Sequence, residues 1–84
     1  MERRNGLEIT AEILRIATKG AKKTHIVYQA NLNHAILEHH LNRLEELGLV
    51  TTKNGSGARV TIETTHKGMQ FIEQFRSLQA LTDL

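Results

Sequence analysis

The sequence predicts a mainly helical α+β fold with one two-stranded β-ribbon, and three observations support this prediction. Residues 41–50 have the spacing of an amphipathic helix that ends at Gly48. Residues 58–63 alternate polar and apolar side chains, as a half-buried strand does. Between them lies Asn54-Gly-Ser-Gly57, a glycine-rich segment suited to a hairpin tip. A helix that leads directly into a ribbon is the layout of a winged helix-turn-helix, with three helices, a two-stranded wing and a C-terminal helix.

The length of 84 residues predicts a single domain over residues 1–84, with the helix-turn-helix at about 24–47, the wing at about 49–63 and the last helix at about 66–81. Domains this small bury only about 60% of their unfolded surface, so oligomerisation is the expected additional source of stability. The absence of cysteine excludes disulfides, thiolate metal sites and a cysteine nucleophile. No apolar run approaches the roughly 20 residues that span a bilayer, and the first residues do not resemble a secretory signal. We therefore expect a cytoplasmic protein that does not contact membranes.

The first two helices are predicted from apolar spacing and from residues suited to helix ends. Apolar side chains recur at close to helical spacing from Leu7 to Ala17, and Gly20 can take the left-handed conformation that ends a helix. Thr24 is the expected N-cap of a short second helix over residues 25–30, because its hydroxyl can accept from an amide of the first turn.

The third helix is predicted to run from His34 to about Leu47. Asn33 suits its N-cap, because the short amide side chain can accept from a backbone amide of the first turn. Three leucines at helical spacing form the predicted buried stripe, Leu37, Leu41 and Leu44, and Ile36 and Leu47 are expected to extend it. Two helices joined by a short turn, the second of them longer, form a helix-turn-helix.

The ribbon follows from period-two alternation. Strands are predicted over residues 49–53 and 58–63, with Val60 and Ile62 directed toward the core. The Asn-Gly pair between the strands is favoured in tight hairpin turns, but a loop of three or four residues fits the pattern equally well.

The formal net charge is only +2, but the cations are unevenly distributed. No acid occurs between Glu12 and Glu38, and this interval contains four cations: Arg15, Lys19, Lys22 and Lys23. One basic side on an otherwise balanced domain can bind phosphates. A lysine-rich solvated turn explains the same residues, so the charge pattern alone leaves both interpretations open.

Five segments occur in a characteristic order: LEITAEIL at 7–14, GAKKT at 20–24, THIVYQANLN at 24–33, LNRLEELGLV at 41–50 and THKG at 65–68. In this order and spacing they resemble the small archaeal winged-helix DNA-binding proteins of the Sso10a-like group. The resemblance covers most of the chain. It implies a winged-helix fold, binding of double-stranded DNA and dimerisation through the C-terminal helix.

If the leucine stripe of the third helix is buried, its outward polar side chains become candidates for contact with base edges. They are Asn33, His34, Glu38, His39, Asn42 and Arg43. The N-terminal half of such a helix reaches the bases, so the first four are the expected readers. Glu38 can accept from cytosine N4 or hold a neighbouring cation. An ordinary solvated helix face is the alternative for each residue.

Two further groups are candidates for contact with phosphates. Four residues lie at the start of the second helix, where free amides favour an anion: Lys22, Lys23, Thr24 and His25. Four lie in the ribbon and are expected on the flanking backbone or minor groove: Lys53, Asn54, Ser56 and Arg59. A solubilising hairpin tip explains Asn54 and Ser56 almost as well.

The last helix, for which Thr65 is the expected N-cap, is the predicted dimer interface. It has more apolar side chains than one helix of a small domain needs, namely Met69, Phe71, Ile72, Phe75, Leu78 and Leu81. The alternative is that these residues only close the core of the protomer against the first helix.

The sequence offers little support for catalysis or for a cofactor. His34 and Glu38 have the spacing of two ligands on one helical face, but no third ligand lies at useful spacing, so no metal site is expected. There is no P-loop, dinucleotide glycine pattern or HExxH pair, and the two serines have no frame for a Ser-His-Asp arrangement. We expect neither an enzyme nor a small-molecule substrate.

Together these patterns predict a homodimeric, sequence-specific double-stranded DNA-binding protein that regulates transcription. The third helix would enter the major groove, and the wing would contact the flanking backbone. Two alternatives remain open: an architectural protein that binds DNA without sequence preference, and a winged helix that binds another protein.

Overall fold

The computed structural model describes residues 5–55 and 60–82. In this part of the chain a helical body carries one two-stranded antiparallel ribbon, which confirms the predicted fold class. The elements in chain order are α1 (Gly6–Ile16), α2 (Lys23–Ala30), α3 (His34–Glu46), β1 (Val50–Asn54), β2 (Val60–Thr64) and α4 (His66–Thr82).

Two helices begin at asparagine caps. Asn5 Oδ1 accepts from the Glu8 amide at 2.8 Å, and the Asn5 amide donates to Glu8 Oε1 at 3.0 Å, which completes a capping box for α1. Asn33 Oδ1 accepts from the Ile36 amide at 2.8 Å and caps α3 as predicted. Between α2 and α3 the chain turns through Asn31, whose φ of 54° lies in the left-handed region that asparagine tolerates.

The start of α2 differs from the prediction. The helix begins at Lys23, so Thr24 lies inside it, and Lys22 occupies the cap position without a side-chain cap bond. The cause is tertiary, because Ala21 pairs with Ile62 of β2 through hydrogen bonds of 2.9 and 2.8 Å. This bridge holds the chain extended up to Lys22, and the helix starts directly after it.

The core lies between the four helices and the base of the ribbon. Its largest fully buried side chains are Ile13, Leu14, Ile26, Leu37, Leu41 and Ile62. The three leucines of the predicted α3 stripe are buried, and this fixes which side of α3 faces outward. The predicted extension of the stripe by Ile36 and Leu47 was wrong, because these side chains are 41% and 48% exposed.

The ribbon pairs Val50 with Thr64 at its base and Asn54 with Val60 farthest from the body. Asn54 is thus a strand residue and not the first residue of a tight two-residue turn, while residues 56–59 lie outside the described part. The prediction that Val60 faces the core was wrong: its side chain is 41% exposed, whereas Ile62 is 1% exposed. The alternation itself holds, but the core ends at Ile62 and the distal ribbon extends beyond it.

The entry to α4 is fixed by contacts with the end of α3. Thr65 Oγ1 accepts from the Gly68 amide at 3.1 Å, as expected of an N-cap, and donates to the carbonyl of Gly48 at 2.6 Å. Lys67 Nζ donates to the carbonyl of Leu47 at 2.7 Å. A side chain at Gly68 would collide with the carbonyl oxygen of Leu49, so glycine is needed at this crossing.

Among the described residues, no helix combines the length and apolar character needed to cross a membrane.

Candidate nucleic-acid interface

One face of the molecule combines the exposed side of α3, the start of α2 and the ribbon. Burial of the leucine stripe leaves the predicted polar residues of α3 exposed: Asn33, His34, Glu38, His39, Asn42 and Arg43. All six are accessible to a partner that approaches α3 from outside the core.

The start of α2 lies beside α3 on this face. Its four candidate phosphate contacts are exposed, namely Lys22, Lys23, Thr24 and His25. Lys23 Nζ donates to Glu38 Oε1 at 2.6 Å, an ion pair between α2 and α3. Of the two roles predicted for Glu38, the structure shows the second, in which the carboxylate holds a neighbouring cation.

The ribbon is tied to α3 near its base. Thr52 Oγ1 donates to Glu45 Oε2 at 2.9 Å, which links β1 to the last turn of α3. Farther out, Lys53 forms a cross-strand ion pair with Glu63. Asn54 is exposed at the end of β1. The two other predicted ribbon contacts, Ser56 and Arg59, lie outside the described residues.

The ion pairs divide the cations of α2, α3 and β1 into two groups. Lys23 and Lys53 each contact a glutamate, whereas Lys22 and Arg43 have no ion-pair partner within residues 5–55 and 60–82. An unpaired cation can contact a phosphate without first leaving a carboxylate. The two groups therefore differ in what a phosphate must displace.

His40 lies on the flank of α3 and not on the outward face. Its ring is partly buried beside a mainly apolar groove of about 220 Å³ whose lining includes Leu7, Leu47 and Phe71. Arg43 also lines this groove, so its side chain lies on the same flank as His40. Burial lowers the pKa of His40 below its ordinary value of 6.5, and positive charge on His39, whose ring centroid is 5.9 Å away, lowers it further. No group of His, Asp or Glu side chains suited to a metal ion occurs in the described part of the chain.

A family model for winged helix-turn-helix proteins matches residues 3–83. This chain belongs to the winged helix-turn-helix family. A crystal structure of Sso10a-2, described as a DNA-binding protein from Sulfolobus solfataricus, is similar to this winged helix with a TM-score of 0.84 and 23% sequence identity. The alignment covers 95% of this chain and 83% of the other. No curated protein sequence matches the chain significantly. The expected resemblance to the Sso10a-like group is confirmed at the level of the fold.

Two exposed residues of this winged helix were missed by sequence reasoning. Ala35 is exposed about one turn before His39, so the outward face of α3 includes a small apolar residue among its polar ones. Helical spacing from the leucine stripe contains this information, but only polar side chains on that face were predicted to contact DNA. Tyr28 on α2 is 84% exposed, and no spacing pattern distinguishes it from a core aromatic.

Proposed function

We propose that this protein binds double-stranded DNA in a sequence-specific manner, and that it acts as a homodimeric transcriptional regulator. The observation that carries the proposal is the exposed polar side of α3, which begins at the Asn33 cap and is framed by the basic start of α2 and by the ribbon. The description of Sso10a-2 as a DNA-binding protein supports the same class of partner.

The dimensions of α3 suit the major groove. Its 13 residues form a rod about 20 Å long, and a major groove about 12 Å wide accepts one α-helix. The side chains nearest its N-terminus would meet base edges, as in other helix-turn-helix proteins. In this orientation Ala35 allows close approach, while Asn33, His39 and Asn42 offer hydrogen-bonding groups to the bases.

The cations flanking α3 would fix the position of the protein on the duplex. Lys22 and Lys23 lie at the N-terminus of α2, where free amides and the helix dipole favour an anion. Lys53 and Asn54 would reach the flanking backbone from the ribbon, together with Ser56 and Arg59. Contacts of this kind set register and orientation, and the bases supply specificity.

An apolar surface beside α1 and α4 supports the homodimer. Phe71 and Phe75 stack with ring centroids 6.5 Å apart, and with Leu7 they line a groove that Leu78 continues. Leu78 is 60% and Leu81 76% exposed, so this surface is larger than the protomer core covers. A second copy that covers it would bury side chains that water otherwise contacts.

Two of the six predicted interface residues lie elsewhere on α4. Ile72 is 8% exposed and packs in the core of its own protomer. Met69 lies about two and a half turns before Leu78, so the two side chains point to opposite sides of the helix. The proposed interface therefore consists of Phe71, Phe75, Leu78 and Leu81, with Leu7 from α1 added. Two α3 helices about 34 Å apart, or a multiple of this distance, would then face a pseudo-palindromic site.

Selection of bound duplexes from a random pool, followed by competition at several salt concentrations, tests the proposal. A sequence-specific regulator prefers the selected duplex over random duplex at every salt concentration. An architectural DNA-binding protein would show only the salt dependence that phosphate contacts produce, and a winged helix that binds another protein would show neither. Equal affinity for selected and random duplexes would contradict the proposal.

A further inference from the structure

Glu38 occupies an unusual position in the charge distribution. Residues 13–44 contain α2 and nearly all of α3, and Glu38 is the only acid in that interval. It is also exposed on the proposed DNA-binding face. A carboxylate at this position repels phosphates, so its presence needs a reason beyond general affinity for DNA.

The contact between Glu38 and Lys23 indicates what that reason is. The ion pair between Lys23 Nζ and Glu38 Oε1, 2.6 Å apart, connects two parts of the proposed DNA-binding face. Lys23 lies at the start of α2, where phosphates would bind, and Glu38 lies on the outward side of α3, where bases would be read. Both side chains are about half exposed, with relative accessibilities of 44% and 48%, so neither is locked in place by packing. Exposed pairs of this kind are weak, and a partner of either group can replace the other.

We infer that the Lys23–Glu38 pair couples base reading to phosphate binding through an exchange of partners. On random DNA the pair stays closed, and Lys23 is unavailable to phosphate. Where a cytosine lies opposite Glu38, the carboxylate accepts a hydrogen bond from cytosine N4 and Lys23 is released to a backbone phosphate. This inference rests on the proposed function and assigns Glu38 as its specificity-determining residue.

The chemistry of a carboxylate favours cytosine over the other bases. An ionised glutamate only accepts hydrogen bonds, and in the major groove the amino groups of cytosine and adenine are the donors. Adenine presents its acceptor N7 beside its amino group, and that lone pair repels a carboxylate. Guanine N7 and O6 and thymine O4 are acceptors, so they offer Glu38 no donor.

The ribbon provides a comparison within the same molecule. Lys53 and Glu63 form the same kind of ion pair, but both residues belong to the ribbon and neither lies on α3. Removing the charge of Glu63 would free a lysine without altering a base contact. Glu46 offers a second control, because it is exposed on α3 and has no ion-pair partner among the residues described.

The experiment compares the wild-type protein with Glu38→Gln, Lys23→Gln, the double variant, Glu63→Gln and Glu46→Gln. Each protein is used to select duplexes from a random pool, and its affinity for random and wild-type-selected duplexes is measured against salt. Circular dichroism confirms that each variant is folded.

Glu38→Gln is expected to bind random duplex about two- to fivefold more tightly, the scale of one exposed ion pair. Its salt slope, meaning how steeply the logarithm of the binding constant falls with the logarithm of the salt concentration, should become steeper by about 0.9 on random duplex. The reason is that Lys23 then contacts one more phosphate. Its preference for cytosine at one position of each half-site should fall by about tenfold. Glu63→Gln should bind all duplexes more tightly without a change in base preference, and Glu46→Gln should match the wild type in base preference.

The Lys23→Gln variant tests whether Lys23 contacts phosphate only on the selected duplex. It should lower the salt slope by about 0.9 on the selected duplex but leave the slope on random duplex unchanged, since Lys23 is paired there. In the double variant, the gain of Glu38→Gln on random duplex should disappear.

The outcomes separate this inference from the function on which it rests. Wild-type protein without any sequence preference would overturn both. A wild-type preference that Glu38→Gln retains in full, or a Lys23→Gln effect of equal size on both duplexes, would overturn the coupling alone.

Discussion

The hydroxyl of Thr64 donates to the carbonyl oxygen of Leu14 at 2.6 Å, a hydrogen bond that joins the end of β2 to α1 across 50 residues of chain. The Thr64 amide also donates to the carbonyl of Ala17 at 3.0 Å. Because Thr64 is buried, both bonds are shielded from water. They fix the base of the ribbon to the helical body, and so set the direction in which the ribbon projects beside α3.

Replacement of Thr64 by valine is expected to lower the free energy of unfolding by about 1 kcal/mol, since it removes this hydrogen bond and preserves the shape of the side chain. Urea denaturation measures the change. Thr51→Val, at an exposed position of β1, is the matched control and should have less than half of this effect. Equal stability of Thr64→Val and the wild type would contradict the assigned role.

Gly68→Ala is expected to lower the free energy of unfolding by at least about 2 kcal/mol. The added methyl group would overlap the carbonyl oxygen of Leu49 and the Cγ2 of Thr64, so α4 would have to move away from the end of α3. Gly6→Ala is the control, because a Cβ at Gly6 meets no atom within 4 Å. A Gly68→Ala protein as stable as Gly6→Ala would show that α4 does not cross this closely.

The lowered pKa of His40 predicts that the stability of the protein depends on pH. Burial, and then charge on His39, lower this pKa in the folded protein, so between the lowered value and pH 6.5 the unfolded chain binds a proton that the folded chain does not. The contribution of His40 to stability is complete above pH 6.5 and is lost as the pH falls through its lowered folded value. Titration of the His40 ring by NMR should give a midpoint below 6.5, and His39→Gln should raise that midpoint. A midpoint at or above 6.5 in the wild type would contradict the burial of the ring.

Leu78→Glu is expected to convert the proposed dimer to monomers, because it places a charge in the apolar surface beside α1. Met69→Glu makes the same chemical change on the opposite side of α4 and should leave the dimer intact. Sedimentation equilibrium distinguishes the two results. If Leu78→Glu stays dimeric while Met69→Glu dissociates, the interface lies on the other side of the helix.

Features set by neighbouring residues could be predicted from the sequence. The Asn33 cap and the leucine stripe of α3 depend on residues within a few turns, and both were predicted at the correct positions. The start of α2 could not be predicted, because it depends on the bridge between Ala21 and the distant Ile62. Local preference favoured Thr24 as the cap, and tertiary pairing overrode it.

In the candidate site, too, features set by neighbouring residues could be predicted, and features set by contacts between distant elements could not. Helical spacing identified which polar residues of α3 point outward, since only the position of the buried stripe was needed. Spacing could not show that Glu38 would contact Lys23 and not a residue of its own helix, because that depends on how α2 packs against α3. For the same reason, the sequence did not place Leu7 beside Phe71 and Phe75.

We propose above all that the face formed by α2, α3 and the ribbon binds double-stranded DNA. The most direct test is a map of amide chemical shifts as a duplex selected from a random pool is added to the wild-type protein. We expect the largest changes at residues 22–25, 33–43 and 53–54, with little change over residues 78–82 of α4. Changes concentrated in α4, or unchanged amides over residues 33–43 at saturating duplex, would contradict it.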